Sequence, residues 1–113
     1  MTAPATAMKN DVFEYPGGIS LPPVHPGRTL AAELSARGMT ANALALKLRV
    51  PANRLSDIVR GQRAISPETA LRLGRFFGTN PQFWMNLQAA YDLAVAKQQH
   101  GAAIDREVEA AEA

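Results

Sequence analysis

Asn53, Arg54, Ser56, Asp57 and Arg60 fall within residues 53–60, and together they form a hydrogen-bonding set suited to base edges. Asparagine pairs with an adenine edge, arginine pairs with guanine, and aspartate accepts from cytosine or orients a neighbouring arginine. Ala52, just before them, is small enough for close approach or for contact with a thymine methyl. Chemistry of reaction is not offered anywhere. The chain has no cysteine, no Ser–His–Asp grouping, no HExxH, no glycine-rich phosphate loop and no paired carboxylates on a cleft-like segment. No catalytic residue is assigned, and no enzyme is expected. His25 and His100 lie far apart without neighbouring ligands, so neither a metal site nor a cofactor is expected. His25, before Pro26 and Gly27, reads as a residue that starts a helix rather than as a base.

The polar set needs a helix whose other side is held by a core. With Leu55 at 0° and a step of about 100°, Ile58 and Val59 fall within roughly 60° of it. Asn53, Asp57 and Arg60 fall roughly 140–200° away, with Arg54 and Ser56 on the flanks. The sequence before it supplies a partner helix. Thr40 is placed to cap a helix carrying Leu44, Ala45 and Leu48 inward. Arg49 and Val50 make the corner, and Pro51 opens the second helix. This is helix-turn-helix spacing, which frees the outer face of the second helix for a DNA major groove.

Thr40 heads a helix whose first amides favour a phosphate oxygen, and Arg63, in the loop after the second helix, is placed for a backbone contact. Arg49 falls where such corners commonly carry a left-handed glycine. That implies either a different turn or an arginine retained for a phosphate contact. The bland alternative for the whole set is an ordinary solvent-facing helix surface.

Around this pair the periodicity predicts an all-α chain of five helices. The first runs from about Gly27 to Arg37 with Leu30 and Leu34 inward, and Gly38 stops it. Ser66-Pro67 and Asn80-Pro81 open a fourth helix to about 77 and a fifth to about 99. Ala70, Leu73, Gly74 and Phe77 form the inward stripe of the fourth, and Trp84, Leu87, Tyr91, Ala94 and Val95 that of the fifth. Residues 1–24, rich in proline and glycine, read as a mobile, irregular arm. Residues 25–100 read as the folded domain, ending in a dimerisation helix, and 101–113 as a frayed, flexible tail.

Bulk properties agree with one small helical domain: 113 residues, 47% apolar but only 6% aromatic. The absence of cysteine, of a signal-like N-terminus and of any long apolar run predicts a cytoplasmic protein without a membrane partner. Net charge is only +2, yet residues 26–76 carry +6 while residues 1–25 carry −1 and residues 77–113 carry −3. The positive charge sits on the segment that phosphate binding would use.

His25-Pro26-Gly27, the run from Asn42 to Gly78 and NPQFWMNLQAAYDL from Asn80 to Leu93 resemble the HigA/VapI family of XRE-type helix-turn-helix antitoxins. The likeness covers about residues 24–95. It implies a bundle of the lambda-repressor-like type, binding as a homodimer to palindromic operator DNA and repressing its own operon. It also implies a HigB-like toxin partner, a RelE-like mRNA endonuclease neutralised by complex formation. Arg49, where relatives usually carry glycine, and the long arm depart from the pattern.

The fifth helix carries more apolar residues than one stripe holds. Part of that surface is expected to meet a second copy through Phe83, Leu87, Tyr91 and Val95, with Trp84 in the core. The alternative is that all of them close over the core. Two other functions fit the same residues: a stand-alone repressor without a toxin, and an interaction module that has lost DNA binding.

Overall fold

Proline stands at the start of four helices, where its missing N–H leaves no intrahelical bond unmade. The computed structural model describes residues 14–15, 19–20 and 22–112. Within them the elements are β1 (Glu14–Tyr15), β2 (Ile19–Ser20), α1 (Pro26–Arg37), α2 (Ala41–Leu48), α3 (Ala52–Val59), α4 (Pro67–Phe77) and α5 (Pro81–Glu107). The five expected helices are all present.

By compactness the chain divides into Val24–Ala89 and the remainder, residues 1–23 with 90–113. In the first unit α1 begins as its residue types require. His25 Nδ1 accepts from the Gly27 amide at 2.9 Å, and Pro26 occupies the first turn. Gly38, at φ 65°, ends the helix and sends its N–H back to the Leu34 and Ser35 carbonyls. Thr40 Oγ1 accepts from the Ala43 amide at 3.0 Å to start α2, and Ser66 Oγ does the same for Thr69 at 3.2 Å to start α4. Asn80 Oδ1 accepts from the Gln82 amide at 2.9 Å ahead of α5.

The core draws on every helix of this unit: Leu30 and Leu34 from α1, Leu44, Ala45 and Leu48 from α2, Leu55 and Ile58 from α3, Ala70 and Leu73 from α4, and Trp84 from α5. Trp84 fills it with its ring and spends its N–H on Thr79 Oγ1 at 3.1 Å, so no buried donor is left bare. Arg37 lies over the Phe77 ring, 4.8 Å from its centre, and closes the edge between α1 and α4.

Two members of the interior came as findings. Ile65, in the loop after α3, is buried, and its N–H donates to Gln88 Oε1 of α5 at 2.7 Å. Gln88 is itself buried, while Leu87, the residue expected inward, is only half-buried against the core. Neighbouring positions on a helix stand about 100° apart, so the buried side of α5 is centred nearer Gln88 than Leu87.

In the second unit β1 and β2 pair antiparallel, Glu14 opposite Ser20 and Tyr15 opposite Ile19. This short pair within the arm was not anticipated, because strands of two residues are too short to leave any alternation in the sequence. The rest of that arm up to residue 21 lies outside the described residues. The correction concerns the other end. α5 continues through Gly101 to Glu107, past the end expected near 99. One glycine costs a helix only about 1 kcal/mol, and AAIDRE after it is made of residues that helices tolerate.

Candidate nucleic-acid interface

α3 is short and amphipathic, and its register is fixed by two fully buried residues, Leu55 and Ile58, with Val59 half-buried beside them. The opposite side carries Ala52, Asn53 and Arg60 exposed, with Arg54, Ser56 and Asp57 half-buried at the margins. The far end of α3 is set by a close approach. A Cβ on Gly27 would run into the Ile58 carbonyl, so only glycine lets the start of α1 abut the end of α3. That contact also brings the amide end of one helix to the carbonyl end of another, a favourable pairing of partial charges.

The corner between α2 and α3 is built on Arg49, at φ 62° and ψ 46° the only non-glycine residue with positive φ among those described. The Val50 amide reaches back to the Ala45 carbonyl at 3.1 Å. The turn is therefore the ordinary left-handed one, with arginine standing where glycine is easier. Thr40, the other predicted backbone contact on α2, is exposed at the helix start.

Two carboxylates organise the arginines. Asp57 Oδ1 accepts from Arg60 Nη2 at 2.7 Å, and Asp57 Oδ2 lies 3.7 Å from Arg63 Nη2, so one acid gathers a helix arginine and a loop arginine. Asp57 is thus paired with arginine in this structure, the arrangement that an orienting role needs. Ser56 turns its hydroxyl back onto the Asn53 carbonyl at 3.4 Å. Arg54 Nη1 lies 3.3 Å from Glu68 Oε1 of α4. Glu68 Oε2 in turn accepts from Arg72 Nε at 3.1 Å and Nη2 at 3.0 Å. Arg72 Nη1 then donates to the Leu48 carbonyl at 2.8 Å, at the end of α2. The Arg72 hydrogen bonds, followed by the charge of Arg54, hold the Glu68 carboxyl below the ordinary glutamate range.

Glu68 and Arg72 were not among the residues singled out in the sequence. Their spacing of four on a helix signals their mutual pair, but nothing local signals the link to Arg54, which is 14 positions away. The Gln88 bond to Ile65 is another such link, fixing the loop that carries Arg63.

The expected dimer residues all lie on α5. Phe83 is 43% exposed and stands edge-on to Trp84 at 5.1 Å. Leu87, Tyr91 and Val95 are half-buried. Among the described residues there is no group of three or more side chains suited to hold a metal ion, and no helix is long and apolar enough to cross a membrane.

Known proteins share the sequence and fold of this chain. The helix-turn-helix family matches residues 30–84. Virulence-associated protein I of Dichelobacter nodosus is 48% identical over 83 residues, which are 73% of this chain and 77% of that protein. The solved structure of an addiction module antidote protein of a HigA family from Coxiella burnetii superposes with a TM-score of 0.78 at 48% identity, covering 80% of this chain and 100% of that one. The Pseudomonas aeruginosa antitoxin HigA, solved with the higBA promoter, gives 0.76 at 49% identity over 77% of this chain and 96% of that one.

Proposed function

Because the chain belongs to the HigA antitoxin family of helix-turn-helix proteins, we propose that it is the antitoxin of a type II toxin–antitoxin module. It binds operator DNA as a homodimer, represses its own operon, and neutralises a HigB-like mRNA endonuclease by forming a complex with it.

The observation that carries this reading is the outer face of α3. Asn53 and Arg60 stand opposite a fully buried Leu55 and Ile58 with Arg54 at the margin, and both arginines are held by carboxylates rather than left to wander. Preorganised arginines suit bidentate contacts to guanine. Ala52 lets the helix start come close, and Thr40, Arg49 and Arg63 border the face as phosphate contacts. The relative from Pseudomonas aeruginosa, at 49% identity, is an antitoxin solved with promoter DNA, which supports the same use of this face. For the dimer, Phe83, Leu87, Tyr91 and Val95 of α5 form the contact, presenting two copies of α3 about 34 Å apart.

The test has two arms. The purified chain should shift DNA from its own promoter, and Asn53→Ala with Arg54→Ala should abolish the shift while the mass in solution stays that of a dimer. Co-expression with the neighbouring toxin frame should yield a co-purifying complex. Binding of operator without retention of any toxin would leave a stand-alone repressor. Retention of toxin with no operator shift would leave an interaction module.

A further inference from the structure

Between the end of α2 and the outer side of α4 lies a groove of about 540 Å³. Lys47, Arg49, Arg72 and Arg75 surround it, and Leu71 and Phe76 supply its apolar lining. Arg72 is committed to Glu68 and to the Leu48 carbonyl. Lys47, Arg49 and Arg75 make no ion pair and no side-chain hydrogen bond among the described residues. Leu71 is 61% exposed beside these cations. Three unpaired cations around apolar carbon call for an anionic ligand with an apolar anchor.

The chain itself carries that chemistry at the end of α5. The Val108 amide bonds to the Ile104 carbonyl at 2.9 Å, so the last turn continues and sets Ile104 and Val108 on one face. Both are more than half exposed. Asp105, Glu107, Glu109 and Glu112 accompany them against a single cation, Arg106. None of those four carboxylates forms an ion pair among the described residues.

We propose that the groove between α2 and α4 receives the acidic end of α5, anchored by Ile104 and Val108, from a second copy of this chain. The surfaces differ from the α5 residues assigned to the dimer, and the proposal does not depend on DNA binding or on a toxin. Groove and segment are present on every copy, so a two-fold pair makes the contact twice. The attraction between exposed charges weakens as salt rises.

The absence of cysteine makes a direct test possible. Full-length Leu71→Cys chains mixed with full-length Val108→Cys chains should form a disulfide-linked pair of unlike chains under mild oxidation. A single chain carrying both substitutions that closes at monomer mass would instead place the segment in its own groove and overturn the proposal. So would a mixture that gives no unlike pair. Charge reversal adds an arm without cysteine. Arg75→Glu or Glu109→Arg alone should weaken association between copies by about tenfold in sedimentation, and the two together should restore it. Single reversals without effect, or a pair without restoration, would count equally against it.

Discussion

Glu68 Oε1 lies 3.3 Å from Arg54 Nη1, joining α4 to the margin of the outer face of α3 across 14 positions of sequence. The pair is partly open to solvent, and ion pairs in that setting contribute little to stability. Its consequence is geometric. Arg54 is held to one orientation, while Glu68 is held by Arg72 and, through it, by the carbonyl end of α2.

Replacing Glu68 therefore should alter discrimination more than stability. In Glu68→Gln, Arg54 keeps an acceptor but loses its ionic partner, and the surface loses a negative charge that DNA would repel. Binding to a scrambled duplex should rise and the preference for operator should fall by about tenfold, with the melting temperature nearly unchanged. Mobility-shift titrations on both duplexes at one salt concentration measure this. An unchanged preference would remove Glu68 from the positioning role.

Acid should act on the same carboxylate with a definite sign. Glu68 is lowered in the folded chain, so the stability linked to it is present above the ordinary glutamate range and is lost as pH falls through the depressed folded value. Carboxyl NMR should find its midpoint below that of a glutamate in an unfolded peptide. Arg72→Ala should move that midpoint upward more than Arg54→Ala does, since the Arg72 hydrogen bonds are the leading cause. The reverse order would contradict the network.

Arg49→Gly separates the backbone role of that residue from its side chain. A left-handed non-glycine residue costs about 1 kcal/mol, so the variant should gain roughly that amount in urea unfolding. Operator binding should meanwhile lose about one unit of salt slope if the guanidinium meets a phosphate. A stabilised variant with an unchanged slope would confine Arg49 to the corner.

Gly27→Ala probes the junction of α1 and α3. The added methyl has no room beside the Ile58 carbonyl, and the strain should destabilise the chain by about 2–3 kcal/mol. Urea titration gives the loss directly, and a change under about 0.5 kcal/mol would mean that the junction yields.

What could be read from the sequence was what repeats locally. Proline, glycine and capping residues punctuate the helices, and Leu55 with Ile58 announces which side of α3 is interior. The place of Arg49 in the corner was legible from spacing, while its left-handed backbone was one of two readings the sequence left open. Contacts between distant residues were not legible. Glu68 with Arg54 and Gln88 with Ile65 join elements whose meeting depends on the packed fold, and neither pair leaves a period. The two-residue strands and the helix beyond Gly101 escaped for a local reason: the first are too short to alternate, and the second crosses a residue that usually ends helices.

Arg72 does two things with one guanidinium, closing the carbonyl end of α2 and gripping the acid that steadies Arg54. A designer wishing to retarget this scaffold to another binding sequence thus inherits a division of labour. On the proposed function, positions 48, 57, 68 and 72 belong to the chassis and should be left intact, whereas 53, 54, 56 and 60 are the positions to exchange.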